Sequence, residues 1–99
     1  MHKVIYRNIR PNLAIDFFPI SPAYKKLLND EKAKGNLLEE STTILENETV
    51  ERFVLLWKSI DDVIKFNSNP VIINYYKAKL AYNREHEIIT NVIGETYDE

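Results

Sequence analysis

The chain has 99 residues, 44% of them hydrophobic and 28% charged, with two Gly, four Pro and no Cys. That is the size and composition of one ordinary globular domain, and it excludes disulfide frameworks, thiolate metal sites and cysteine nucleophiles. The formal net charge of -2 gives no general electrostatic reason to bind nucleic acid, and the longest uninterrupted apolar run is too short to span a bilayer.

Lys3 to Ile9 reads as a first strand, rich in β-branched and aromatic residues, and Arg10-Pro11 ends it. Residues 10–20 carry prolines at both ends around Leu13, Ile15, Phe17 and Phe18, the pattern of a packed loop. Phe17 and Phe18 either cover one end of the core or form a lid or partner contact, and simple packing is preferred. Ser21-Pro22 starts a helix, with a capping hydroxyl and a proline at the first position, and the helix should run to about Lys34. Tyr24, Leu27 and Leu28 make its buried stripe, and Gly35 is placed to end it in a left-handed conformation. Lys25, Lys26, Lys32 and Lys34 share this helix with acidic neighbours and read as a solvated face.

Leu37 to Leu45 and Val50 to Trp57 read as two strands of a hairpin turning at Glu46-Asn47-Glu48-Thr49. The run Phe53-Val54-Leu55-Leu56-Trp57 does not alternate, so both faces of that strand ask for cover. Ser59 caps a helix carrying Ile60, Val63, Ile64 and Phe66. Asn69-Pro70 interrupts it and starts another, reaching about Glu85, with Val71, Tyr75, Ala78 and Tyr82 along one face. Glu87 to Ile93 is a last strand, and the residues after it, 95–99 above all, form an acidic tail.

The order β-α-β-β-α-β predicts an α+β, ferredoxin-like domain spanning residues 1–99. Its helices lie on one face of a four-stranded antiparallel sheet, and a second copy of the chain covers the other face. A soluble, cytoplasmic homodimer is expected, with no membrane and no nucleic acid among its partners.

At Leu56-Trp57-Lys58-Ser59, followed by the broken helix and Pro70, the sequence resembles the dimeric α+β barrel superfamily, in its antibiotic-biosynthesis-monooxygenase branch. With Phe17-Phe18 ahead of the first helix and Trp57 on the third strand, it is also similar to small uncharacterised proteins of T4-like phages, which would place it in the host cytoplasm. The branch contains cofactor-free monooxygenases and haem-degrading enzymes. The haem-degrading members use an Asn, a Trp and a His. An ungapped alignment on Trp57-Lys58-Ser59 supplies Asn8, Phe66 and Tyr76 at those positions, so only the Asn is retained and haem degradation is not expected.

Asn8, Trp57, Tyr75, Tyr76 and Tyr82 are the candidate pocket residues, phenols and an amide able to orient a small hydrophobic or aromatic molecule. Against this, Tyr75 and Tyr82 follow the helical stripe and fit a core role, which is preferred. His86 sits where a helix end favours a cation, and capping explains it better than metal ligation. His2 lacks a partner at ligand spacing, and Asp61-Asp62 fit the dipole of a helix start. No cofactor and no metal are expected. The reading is therefore a non-enzymatic homodimer that binds a protein or small ligand, with a cofactor-independent monooxygenase-like enzyme as the alternative.

Overall fold

The computed structural model describes residues 1–97. Its elements are β1 (His2–Ile9), α1 (Pro22–Ala33), β2 (Leu37–Leu45), β3 (Val50–Trp57), α2 (Ile60–Asn67), α3 (Pro70–Glu85) and β4 (Ile89–Thr96). The antiparallel strands lie in the order β2-β3-β1-β4, which gives the expected ferredoxin-like α+β architecture. Both hairpin strands have the expected bounds.

The helix starts follow from local chemistry. The Ser21 hydroxyl accepts from the Tyr24 amide, that of Ser59 from the Asp62 amide, and the Asn69 side chain from the Val71 amide. Pro22 and Pro70 occupy first helical turns, where a missing N–H costs nothing. At the far end of α1, Gly35 has φ +80, the left-handed geometry expected for it. α3 ends in the same geometry without a glycine: Glu87 has φ 59, while the next amide, of Ile88, donates to the Asn83 carbonyl at 2.8 Å. Glu87 therefore terminates the helix instead of opening the last strand.

β1 turns Val4, Tyr6 and Asn8 toward the helices, and the register places Leu55, Phe53 and Glu51 of β3 beside them on the same face. Trp57, opposite His2, ends that row and packs on Phe66 of α2, with ring centroids 4.9 Å apart. Tyr24 of α1 sits at the centre of the helical layer. Its ring stacks on Tyr75 at 4.2 Å and meets Phe66 and Tyr76 edge-on at 5.9 and 5.8 Å. Full burial of side chains this large stabilises by about 1.5–3 kcal/mol each.

Two expectations are revised and a third is refined. The buried stripe of α3 is Ile72, Tyr75, Lys79 and Asn83, whereas Val71 is 43% exposed and Ala78 is also exposed. The stripe is rotated by one residue from the apolar one because α3 carries polar side chains inward. β4 extends to Thr96, so Glu95 and Thr96 belong to the sheet and not to a tail; Asp98 and Glu99 lie outside the described residues. On α1 the four lysines are exposed, as expected, and two of them also pair with Glu40 on β2: Lys25 bonds both carboxylate oxygens, at 2.9 and 2.8 Å, and Lys32 lies 2.6 Å from one of them. Burial alone would raise the Glu40 carboxyl, but the two lysines outweigh it and hold the group below its usual range. Glu40 reaches the helix side through a register shift between Leu37 and Glu39, which leaves Leu38 exposed and reverses the alternation of β2.

The opposite face of the sheet is arranged in rows. Leu45, Val50, Ile9 and Ile89 form one; Thr43, Arg52, Arg7 and Asn91 the next; Ser41, Val54, Ile5 and Ile93 a third; and Glu39, Leu56, Lys3 and Glu95 the last. Among the described residues no helix lies on that face, although Val50 and Val54 on its inner strand β3 are buried, at 0% and 7% exposure.

The two left-handed positions that end helices make opposite predictions. Replacing Glu87 with Gly relieves a side chain held at positive φ and should stabilise by about 0.5–1 kcal/mol, whereas Gly35→Ala should cost a similar amount. Urea unfolding of both variants measures the difference.

Candidate functional site

The five candidate residues do not converge on one cavity. Trp57 is 1% exposed beneath α2. Tyr75 and Tyr82 instead fasten the 10–20 segment. The Tyr75 hydroxyl donates to the Pro19 carbonyl at 3.3 Å and the Tyr82 hydroxyl to the Asp16 carbonyl at 2.6 Å, while the Phe18 ring lies 5.5 and 5.3 Å from their rings. Phe18 thus takes the packing role. Phe17 lies against the Arg10 guanidinium at 4.4 Å, and Arg10 also donates to the Ile15 and Glu48 carbonyls. The segment is only partly packed, since Leu13 is 54% exposed. Tyr82 also carries the His86 ring, stacked at 4.1 Å, and His86 Nδ1 lies 3.1 Å from the Tyr82 carbonyl, in keeping with a capping role.

Asn8, 2% exposed, belongs to a polar chain that crosses the sheet. Asn83 Nδ2 of α3 donates to Thr90 Oγ1 of β4 at 2.7 Å, Thr90 Oγ1 donates to Asn8 Oδ1 at 2.9 Å, and Asn8 Nδ2 donates to Glu51 Oε1 of β3 at 2.9 Å. Both polar ends of the Asn8 amide are engaged inside the protein, so this network ties three strands to α3 and holds Asn8 as part of the fold.

Tyr76 is different. Its hydroxyl shares a hydrogen bond with that of Tyr24 at 2.8 Å, its ring stacks on Tyr6 at 5.7 Å, and both Tyr6 and Tyr76 form the wall of an open groove of about 390 Å³. Asn67, Ile73, Lys77 and Leu80 complete the groove. Val92 follows Tyr6 across the β1–β4 register and, at 59% exposure, continues the same face toward the sheet edge. Asn8, Trp57, Tyr75 and Tyr82 do not line it. A second groove, of about 310 Å³ between α1 and α2, is bordered by acidic and basic side chains in nearly equal number, Asp30, Glu31, Lys34, Asp62 and Lys65 among them.

Burial pushes the phenols of Tyr6, Tyr24 and Tyr76 upward, and that of Tyr75 up to about 12. These groups stay neutral at physiological pH and act as hydrogen-bonding phenols, not phenolates. Lys79, 7% exposed, has its ammonium 5.2 Å from the Tyr6 ring centroid and 6.0 Å from that of Tyr76. Burial lowers its pKa, and the charge of Glu51 opposes the shift. Lys79, Asn83 and Tyr6 are the site residues that sequence reasoning missed. The available signal was the rotated stripe: 72, 75, 79 and 83 keeps helical spacing while running through a lysine and an asparagine.

The architecture defines the chain as an α+β protein of the ferredoxin-like class. Within that class its fold is the one shared by antibiotic-biosynthesis-monooxygenase-like proteins. Over the full length of both chains it is similar to the crystal structure of an antibiotic biosynthesis monooxygenase, at TM-score 0.65 and 15% identity. It is also similar to a variant of SnoaB, a cofactor-independent oxygenase from Streptomyces nogalater, at TM-score 0.68 and 8% identity over 99% of this chain and 93% of that one. A third likeness, at TM-score 0.64 and 10% identity over 97% of each chain, is to a protein of unknown function from Bacteroides thetaiotaomicron. No protein-family model and no curated protein sequence matches the chain. At these identities the likeness is one of fold. Among the described residues, no helix is long and apolar enough to cross a membrane, and no group of three or more His, Asp or Glu side chains is placed to hold a metal ion.

Two outcomes follow from this geometry. Asn8→Ala leaves the Glu51 and Thr90 groups short of a partner and should destabilise by roughly 1–3 kcal/mol, measured by urea unfolding. The raised tyrosines make stability fall at high pH. An unfolded tyrosine near its ordinary value of 10.0 releases its proton before the folded one does, so stability is fully present below about pH 10 and declines toward pH 12, where Tyr75 itself titrates. Thermal unfolding across pH 8–12 checks the sign.

Proposed function

We propose that this protein is a cytoplasmic homodimer of the α+β barrel type that binds a small, flat, largely apolar molecule against Tyr6 and Tyr76 without turning it over. The observation that carries the reading is the separation of the candidate chemistry from the open space. The groove is walled by rings and aliphatic side chains, while the Asn8 amide and the Trp57 indole are spent in packing and in the sheet-crossing network. Its volume lies in the roughly 300–1,000 Å³ range of small-molecule sites. The complete absence of Cys supports a reducing compartment.

Support for the dimer comes from the rows of the uncovered sheet face. Two of the four are apolar or nearly so; Val50 and Val54 within them are already buried, and the exposed members are Leu45, Ile89 and Ile93 on the outer strands, at 39%, 59% and 50%. Rows of Ile, Val and Leu separated by charged rows suit a self-complementary contact better than water.

The alternative, a cofactor-independent oxygenase acting at the same groove, is favoured by one observation beyond the fold: a buried lysine of lowered pKa beside Tyr6 and Tyr76 is the type of group that accepts a proton from a phenolic substrate.

Fluorescence titration with the neutral probe N-phenyl-1-naphthylamine should show saturable binding. It should weaken about 3–10-fold in Leu80→Gln, where a half-exposed apolar wall residue becomes polar. Unsaturable or unaltered binding would overturn the groove assignment, and dioxygen uptake on adding a naphthol would overturn the non-enzymatic part. Light scattering behind size exclusion should give twice the 11.6 kDa of one chain, with Ile93→Asp shifting the mass to a monomer.

A further inference from the structure

Two charged rows cross the helix-free face of the sheet, and they differ in sign. Thr43, Arg52, Arg7 and Asn91 make the basic row, in which Arg7 and Arg52 are direct cross-strand partners. Glu39, Leu56, Lys3 and Glu95 make the acidic row, four residues away along every strand, and the row of Ser41, Val54, Ile5 and Ile93 lies midway between them. Like charges set directly opposite each other in a sheet are destabilising. Arg7 is partly compensated by Glu46 at 2.7 Å, but that pair is exposed and worth little. Among the described residues Arg52, Glu39 and Glu95 take part in no ion pair. Lys3, the cation of the acidic row, lies over the ring of Tyr97, which pairs with Met1 beyond that row.

Resting on the dimer reading above, we propose that charge fixes how the second copy is seated on this face. The two-fold axis runs across the strands along the row of Ser41, Val54, Ile5 and Ile93, and the arginine row of each copy lies against the acidic row of the other. Competing alignments fail on charge. An axis along the strands through the middle of the sheet lays Arg52 on Arg7, and an axis across the strands at the basic row does so on neighbouring strands. An axis run diagonally through the centre lays one arginine on its own copy. Moving the axis midway between the basic row and the apolar row beside it buries both guanidiniums against Val54 and Ile5, without partners. In the proposed alignment Arg52 of β3 stands one strand over from Glu39 of the other copy's β2, and Arg7 of β1 one strand over from Glu95 of its β4. Sheets packed face to face lie about 10 Å apart, within the combined reach of an arginine and a glutamate. Symmetry makes each pair twice, the central apolar row packs on itself, and the row of Leu45, Val50, Ile9 and Ile89 falls against the Met1 and Tyr97 end of the other copy.

A charge swap, followed by sedimentation equilibrium of the full-length protein, tests the alignment. Arg52→Glu alone and Glu39→Arg alone should each weaken the dimer about tenfold or more, because each places like charges across the interface at two symmetric points. An equimolar mixture of the two variants should recover the wild-type dimer. In the mixed pair one copy carries Glu at positions 39 and 52 and the other Arg at both, so each contact again joins opposite charges. Arg52→Glu mixed with Glu85→Arg, an exposed change on α3, should not recover it. Circular dichroism reports whether each variant folds, and should one of the first two not fold, Arg7→Glu with Glu95→Arg gives the same readout on the other pair. A wild-type dimer that tolerates the single substitutions, a mixture that stays monomeric, or equal recovery with Glu85→Arg overturns the alignment and leaves the dimer standing. A wild-type monomer removes the dimer and the alignment together.

Discussion

The contact on which the rest of the molecule depends is the one between Tyr24 and its three aromatic neighbours. Tyr24 is 1% exposed and is the point where α1, α2 and α3 meet: Phe66 comes from α2, Tyr75 and Tyr76 from α3, and Tyr6 reaches the same cluster from the sheet through Tyr76. A ring at that position sets the spacing of three helices at once, because each contact is made with a flat, rigid surface that tolerates little displacement. The hydroxyl matters equally. Buried without a partner it would be costly, so its bond to Tyr76 fixes the orientation of the ring that becomes the groove wall.

The polar chain from Asn83 to Glu51 complements this cluster farther along the same buried stripe of α3. The rings fix the distance of α3 from its neighbours, and the directional hydrogen bond from the Asn83 amide to Thr90, at 2.7 Å, adds a constraint on its rotation. Packing brings α3 to the sheet and hydrogen bonding helps to set its rotation. That rotation puts Lys79 on the inside and Leu80 on the groove. The groove is thus a by-product of how α3 is seated, which explains why changes to residues that never touch it would alter its shape.

How much of this was legible in the amino acids depended on whether the signal was local. Caps and turns are local, so Ser21-Pro22, Ser59, Asn69-Pro70 and Gly35 marked the helices closely, and the hairpin strands fell at their expected ends. The uninterrupted apolar run of β3 likewise pointed to two covered faces, and the helices supply one of them. What was not legible was the choice between two adjacent stripes on α3. Val71, Tyr75, Ala78 and Tyr82 look apolar, yet the stripe through Lys79 and Asn83 wins because partners far away in sequence, Thr90 and the Tyr6 ring, receive those polar ends. Trp57, Tyr75 and Asn8 are site-like as residue types for the same reason that they are good structural residues, and distant partners engage them in the fold. Glu40 shows a third case, in which a single irregularity near Leu38 carries a carboxylate to a face that alternation assigns elsewhere.

That irregularity at Leu38 also bears on what the sheet edge can do. β2 and β4 are the two outer strands, and only β2 departs from a regular ladder. An extra residue in an outer strand breaks the repeat of outward-facing N–H and C=O groups and sharpens the local twist. A foreign strand could dock on part of β2 but could not run past Leu38 in register, so this edge resists the open-ended, strand-by-strand growth that leads to fibrils. The same shift prevents β2 from sliding along β3 during folding, because a one-residue slip would withdraw Glu40 from both lysines at once.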